Sequence, residues 1–171
     1  MAKKSKSRRR RLEQNGAQPN DRVVARNRRA LYQYEVLRRY EAGLSLTGSE
    51  IKSVRAGRVS IQEAYCRPRD GELMLVGAHI ARYEPSGQAN HEPTRDRRLL
   101  LHRREIRQLE QAFAQQGLTL VPLRLHLTRG LAKLEIGVGR GRRQHEKREQ
   151  LAKRDAQRQI ERAVRRSTSG D

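Results

Sequence analysis

The sequence predicts a small, mainly β body: a closed antiparallel barrel of about six strands with two or three short helices. Three observations carry this. Segments of period-two alternation are separated by turn residues, as at Leu134, Ile136 and Val138 against Lys133, Glu135 and Gly137. Only two stretches carry a helical start signal or an apolar helical face. A body of about 110 residues with many strands and little helix removes its sheet edges most economically by closing on itself, and an OB-like barrel is one such closure.

In chain order, residues 1–22 read as a disordered basic arm, with the Arg8–Arg11 run and the breakers Asn15-Gly16 and Pro19-Asn20. The body spans 23–139. Ala30, Tyr32, Tyr34 and Val36 alternate with Leu31, Gln33, Glu35 and Leu37, which predicts a first strand ending near Ala42-Gly43. Thr47-Gly48-Ser49-Glu50 has capping-box spacing. It opens a helix over about 48–56, with Gly57 able to supply the left-handed residue after it. Pro68-Arg69-Asp70-Gly71 turns a hairpin, and the apolar run Leu73 to Ile80 predicts one buried strand. An irregular loop follows to about Arg98. Ile106, Leu109 and Phe113 share one face of a helix over about 102–116, stopped by Gly117. Leu118 and Leu120 are in one strand phase; Leu123, Leu125 and Leu127 are in the other. A bulge or edge position is therefore expected at Val121-Pro122. Thr128-Arg129-Gly130 leads into the last strand. Residues 140–171 form a basic tail with too little apolar surface to fold alone.

The net charge of +20 is uneven. Residues 1–29 carry 11 Lys and Arg against 2 acids, residues 140–171 carry 11 against 5, and the middle carries 17 against 12. A near-ordinary body between two basic ends is the footprint of a nucleic-acid binder. With one Phe, five Tyr and no Trp, the chain lacks the aromatics of a base-stacking platform, so recognition of folded RNA by backbone and shape fits better. The single cysteine, Cys66, allows no disulfide within the chain and suits a reducing cytoplasm. There is no apolar run long enough to span a membrane and no secretory signal at the basic N-terminus. The five histidines have no metal-ligand spacing. No carboxylate pair stands out as acid and base, and Gly137-Val138-Gly139-Arg140-Gly141 lacks the Lys-Ser/Thr of a phosphate-binding loop. The chain therefore reads as no enzyme and needs no cofactor. The rival readings are a ribosomal or general structured-RNA-binding protein, and a nuclease whose metal-binding carboxylates are far apart in sequence.

Several blocks, in order from Asn27 to Arg154, are similar to one family. They are Asn27-Arg28-Arg29-Ala30; the run Tyr40-Glu41-Ala42-Gly43-Leu44 through Thr47-Gly48-Ser49-Glu50-Ile51-Lys52-Ser53-Val54-Arg55-Ala56-Gly57; and Asp70-Gly71-Glu72. Then come Asn90-His91-Glu92-Pro93-Thr94-Arg95, Arg98-Leu99-Leu100-Leu101-His102-Arg103-Arg104-Glu105-Ile106, Gly117-Leu118-Thr119-Leu120-Val121-Pro122-Leu123 and Gly141-Arg142-Arg143-Gln144-His145-Glu146-Lys147-Arg148. Together they resemble the small protein B (SmpB) family of SsrA-binding proteins, bacterial partners of transfer-messenger RNA (tmRNA).

The resemblance implies an OB-like barrel that binds the tRNA-like domain of tmRNA and delivers it to stalled ribosomes for trans-translation. Elongation factor Tu with GTP would accompany the alanyl-tmRNA, and the protein would act as a monomer. It further implies a tail that is disordered when free and helical on the ribosome, in the small-subunit decoding centre and empty mRNA channel. Glu41 matches the family's acidic contact to tmRNA. Asn27, Arg28, Arg29, Lys52, Arg55 and Lys133 are candidate phosphate and sugar contacts, and Leu101 and His102 fall in a further block associated with tmRNA. In the tail, Arg142 and Arg143 stand where the family has lysines and Glu146 where it has aspartate. With His145, Lys147, Arg148, Lys153, Arg154 and Arg158 they are the expected ribosome contacts. The tail's apolar stripe, Ala152, Ala156, Ile160 and Val164, is too narrow for a stable helix in water.

Overall fold

The computed structural model describes residues 22–87 and 89–168. In chain order the elements are β1 (Arg22–Arg26), α1 (Arg28–Gln33), β2 (Tyr34–Leu44), α2 (Gly48–Arg55), β3 (Val59–Ser60), β4 (Tyr65–Arg69), β5 (Glu72–Val76), β6 (His79–Ile80), β7 (Arg97–Leu100), α3 (Arg103–Ala114), β8 (Leu118–Thr128), β9 (Leu131–Gly141) and α4 (Gln144–Thr168), with a single 3₁₀ turn at Glu84–Ser86. The strands run β8-β4-β5-β7-β2-β9, and β9 pairs back onto β8. All these pairings are antiparallel, so six strands form the closed barrel the sequence predicts. The short strand β1 is added along β8, and β3 and β6 make a separate two-stranded sheet.

Alternation along the strands fills the interior. Leu73, Leu75, Leu99, Leu120, Leu125, Leu134 and Ile136 are fully buried there, joined by Val54 of α2 and Leu109 of α3. A second, smaller cluster lies on the outside of the barrel, where α1 sets Ala30 over Val121 and Leu123, flanked by Tyr34 and Val36. The phase change in β8 makes both clusters possible. The register slips between Pro122 and Arg124, so Leu120 and Leu125 face the main core while Val121 and Leu123 face the small one. Gly137 leaves room for it, since a Cβ there would stand 3.0 Å from Leu123.

The structure corrects several sequence expectations. The segment 30–33 is helical, not extended. Asn27 caps α1 by accepting the Ala30 N–H at 2.9 Å, and Ala30 and Tyr34, one helical turn apart, serve the same cluster. The first strand is Arg22–Arg26, with only Val23, Val24 and Ala25 between arginines, too short to show a period. Residues 1–21, including the Arg8–Arg11 run, lie outside the described residues. The run from Leu73 to Ile80 is two strands, because Gly77 takes φ +74° and breaks it. Pro68 pairs within β4, and the two-residue turn is Asp70-Gly71, both at positive φ. Phe113 is half exposed. Cys66 is buried in β4, and burial pushes its thiol above the usual range.

The tail, expected to be disordered in the free chain, is one helix of 25 residues in the structure. The Arg143 N–H donates to Glu146 Oε2 at 2.8 Å and caps its start. Lys153 pairs with Glu149 at 2.6 Å, one turn apart, and every side chain described along it is exposed. Among the described residues, local caps and pairs support this helix.

One buried polar knot ties the irregular parts to the barrel. Glu50 is wholly buried. Its Oε2 accepts the Thr47 N–H at 2.7 Å and a hydrogen bond from Arg95; its Oε1 accepts from Arg95 Nε at 2.8 Å and Arg97 Nε at 2.9 Å. Burial alone would raise this carboxyl, but Arg95, the Thr47 amide and Arg97 outweigh it and lower it to about 2. A depressed carboxyl contributes stability that is complete above its unfolded value near 4.5 and is lost as pH falls toward about 2. Replacing Glu50 by Gln leaves Arg97 buried without its charge and should cost about 3–5 kcal/mol at neutral pH. Denaturant melts of both proteins from pH 7 to 2 should converge at the acid end; a constant gap would refute the assignment.

Candidate nucleic-acid interface

The outer face of β2, β9 and β8 carries two rungs of charge. In the first, Glu135 on the central strand accepts from Arg39 of β2 at 2.6 Å and meets Arg124 Nε of β8 at 3.0 Å. In the second, Lys133 of β9 donates to Glu41 Oε1 at 2.6 Å, and His126 Nε2 of β8 lies 3.3 Å from Glu41 Oε2. The register makes these rungs: His126 stands opposite Lys133, and Arg124 and Glu41 both stand opposite Glu135. Glu41 and Lys133 are diagonal neighbours, within reach for long side chains.

Other predicted residues gather at this end of the barrel. Gly43 of β2 pairs with both Lys133 and Leu100, so the chain leaving β7 brings Leu101 and His102 close to Glu41. Leu101 is half-buried and packs against the core. His102 is exposed and starts α3, where Glu105 accepts its backbone N–H at 3.0 Å. Arg55 reaches the β8–β9 turn, with its guanidinium 3.4 Å from the Gly130 carbonyl. Lys52, one turn earlier on α2, lies 5.3 Å from the centre of the Tyr83 ring.

Arg28 and Arg29 do not join this group. They are exposed on α1, which starts beside Leu123 in the middle of β8 and ends where Gln33 accepts the Arg142 N–H at the root of the tail. Arg29 pairs with Glu63. Asn27, expected as a phosphate or sugar contact, is 2% exposed. Its amide caps α1 and donates to the Ile61 carbonyl at 3.0 Å, so the fold uses its polar atoms and its geometry is that of a positioning residue. In the tail, Arg143, Arg148, Lys153, Arg154 and Arg158 are exposed and Arg142 is half-buried; Glu146 is the cap of α4. The side chains of His145 and Lys147 lie outside the described residues.

Sequence reasoning missed His126, Arg39, Arg124 and Glu135. The signal was present: polar residues of both signs at the outward phase of three long strands that pair in order. It becomes readable only once the register is known. Among the described residues no group of His, Cys, Asp and Glu could hold a metal ion, and no helix is long and apolar enough to cross a membrane.

Replacing Asn27 by Ala should cost about 1–3 kcal/mol through the lost cap and the orphaned Ile61 carbonyl. Thermal denaturation measures this. An unchanged melting temperature with weakened RNA binding would restore Asn27 as a direct contact.

Similarity to known proteins extends over most of the chain. The SmpB protein family matches residues 24–166. An SsrA-binding protein of Trichormus variabilis is 54% identical over 143 residues, 83% of this chain and 92% of the relative. One from Roseiflexus is 54% identical over 149 residues, 86% and 94% of the two chains. A solved structure described as "tmRNA-SmpB: a journey to the center of the bacterial ribosome" is 47% identical, with a TM-score of 0.61 over 71% of this chain and 85% of that one. The chain belongs to the SmpB family.

Proposed function

We propose that this chain binds the tRNA-like domain of tmRNA and brings it to stalled ribosomes in trans-translation. The observation that carries the reading is the extent of the likeness: it runs from residue 24 to 166 and so takes in barrel and tail together. A general RNA-binding barrel would need only the first.

The barrel supplies the tmRNA surface at its Glu41–Lys133 end. Lys133, Arg55 and Lys52 present cations to phosphates there, and the Glu41 carboxylate accepts from a base amine or a 2′-hydroxyl. Their side chains sit on a closed sheet and on a helix tied down by Glu50, so little ordering remains for binding to cost. The protein supplies shape and charge and makes or breaks no bond.

The tail supplies the ribosome surface. Its helix is about 37 Å long at 1.5 Å per residue, exposed and basic. In the decoding centre and empty mRNA channel its arginines meet rRNA phosphates, and His145 meets an exposed base or phosphate. An mRNA in the channel competes for the same phosphate-lined space, so the helix enters only where the message has run out. Elongation factor Tu with GTP accompanies the charged tmRNA, and a cytoplasmic monomer suffices for each delivery.

Two measurements test this. At physiological salt the chain should prefer the tRNA-like domain of tmRNA over bulk tRNA by at least about tenfold, within the range of specific over non-specific binding; equal affinities would leave only a general RNA binder. A chain ending after Arg142, which keeps β9 whole, should retain that affinity and lose tagging on stalled ribosomes. Loss of tmRNA binding on this truncation would show that the labour is divided differently.

A further inference from the structure

Glu41 and His126 belong to strands that do not pair with each other. β9 lies between them, with Lys133 directly opposite His126. Yet the Glu41 carboxylate leans across β9 far enough to bring Oε2 within 3.3 Å of His126 Nε2 while Oε1 takes the Lys133 ammonium at 2.6 Å. The three side chains differ sharply in exposure: 46% for Glu41, 34% for Lys133 and 1% for His126. One member is anchored in the protein, and the other two meet solvent.

The neighbouring rung shows what a carboxylate looks like when the fold uses all of it. Glu135 is 14% exposed and its two oxygens are each matched to an arginine. Glu41 has the same two-sided restraint but remains open to the outside. Each carboxylate oxygen has two lone-pair directions, so one on each stays available to an incoming donor. A free surface glutamate would have to order its torsions when RNA arrives; a carboxylate bonded to the Lys133 ammonium and resting against a buried imidazole has less to order.

We propose that His126 is a positioning residue for RNA recognition: it holds the Glu41 carboxylate in the orientation in which that group accepts a hydrogen bond from tmRNA. The inference rests on the reading of Glu41 as an RNA contact. Lys133 supplies the hydrogen bond of this arrangement, and His126, whose Nε2 stands 3.3 Å from Oε2 without hydrogen-bond geometry, supplies the buried wall against which the carboxylate rests. His126 itself is buried on the outward phase of β8, opposite Lys133 of β9 and Val23 of β1.

The test is a double-mutant cycle on the full chain, reading the Kd for a transcript of the tmRNA tRNA-like domain at fixed salt and pH, with a thermal melt of each variant. E41Q and H126L should each raise Kd roughly three- to tenfold. The double variant should be no worse than E41Q, because His126 acts through Glu41. Rescue separates this from a merely structural role. H126Q reaches as far as Nε2 does and should bind as the parent does; H126N, whose side chain falls short of Glu41, should bind as H126L does. The H126Q and H126N pair decides the matter even if H126L fails to fold. An E41Q protein of unchanged affinity would overturn the reading of Glu41 itself. Weakened E41Q with unaffected H126N, or with additive losses in the cycle, would leave that reading standing and overturn the positioning role.

Discussion

The buried pairing of Glu50 with Arg97 is the constraint on which the rest of the molecule depends. Arg97 is wholly buried, and a guanidinium there is tolerable only if nearly all its donors are used. Nε meets Glu50, Nη1 donates to the carbonyls of Ala78 and Arg95 at 2.8 and 2.9 Å, and Nη2 donates to that of Pro93 at 2.9 Å. His91 adds a second tie, with Nδ1 2.9 Å from Ser49 Oγ and Nε2 3.0 Å from the Ile80 carbonyl. These bonds gather α2, β6 and the segment before β7, none of which has enough apolar surface to hold itself. The consequence for function is direct. Lys52 and Arg55 project from the helix that contains Glu50, so this carboxylate fixes where two of the candidate RNA contacts stand.

The same logic distributes charge over the surface. A chain with so many cations repels itself when folded. The body offsets this by placing acids where they bind several partners at once: Glu50 takes two arginines, Glu135 two arginines, and Glu41 a lysine and a histidine. Along α4 the pairs are isolated and exposed, and each contributes only a few tenths of a kcal/mol. The barrel is therefore rigid with its charges held in place, whereas the described charges of the tail helix are exposed to solvent.

The sequence discloses the barrel well because its evidence is periodic. Alternation in β9, the bulge in β8 and the turns at Asp70-Gly71 and Arg129-Gly130 follow from local rules, and each stands where those rules put it. The failures occur where a short segment satisfies two periods or none. Ala30, Tyr32, Tyr34 and Val36 alternate as a strand would, yet Ala30 and Tyr34 are also one helical turn apart, and only the cap by Asn27 and the outer cluster on β8 decide between the two. The candidate site shows the same limit. Glu41 and Lys133 emerge from motif likeness, but their partner His126 is 85 positions along the chain from Glu41, and Glu50 reads as a cap because nothing local points to Arg97. Pair interactions across strands depend on register, which becomes known only when the sheet closes.

Register also separates the two ends of the molecule. Lys133 lies near one end of β9 and Gly141 at the other, eight residues or about 26 Å away at 3.3 Å per residue. Glu41, Lys133 and Arg55 cluster at the first end. The tail departs from the second, where Arg142 bonds Gln33 of α1. A ligand covering the first end leaves the base of α4 clear, and a partner engaging α4 does not have to displace that ligand. The closed barrel acts as a rigid spacer between the two surfaces, because its six strands cannot slide without breaking register on every neighbour.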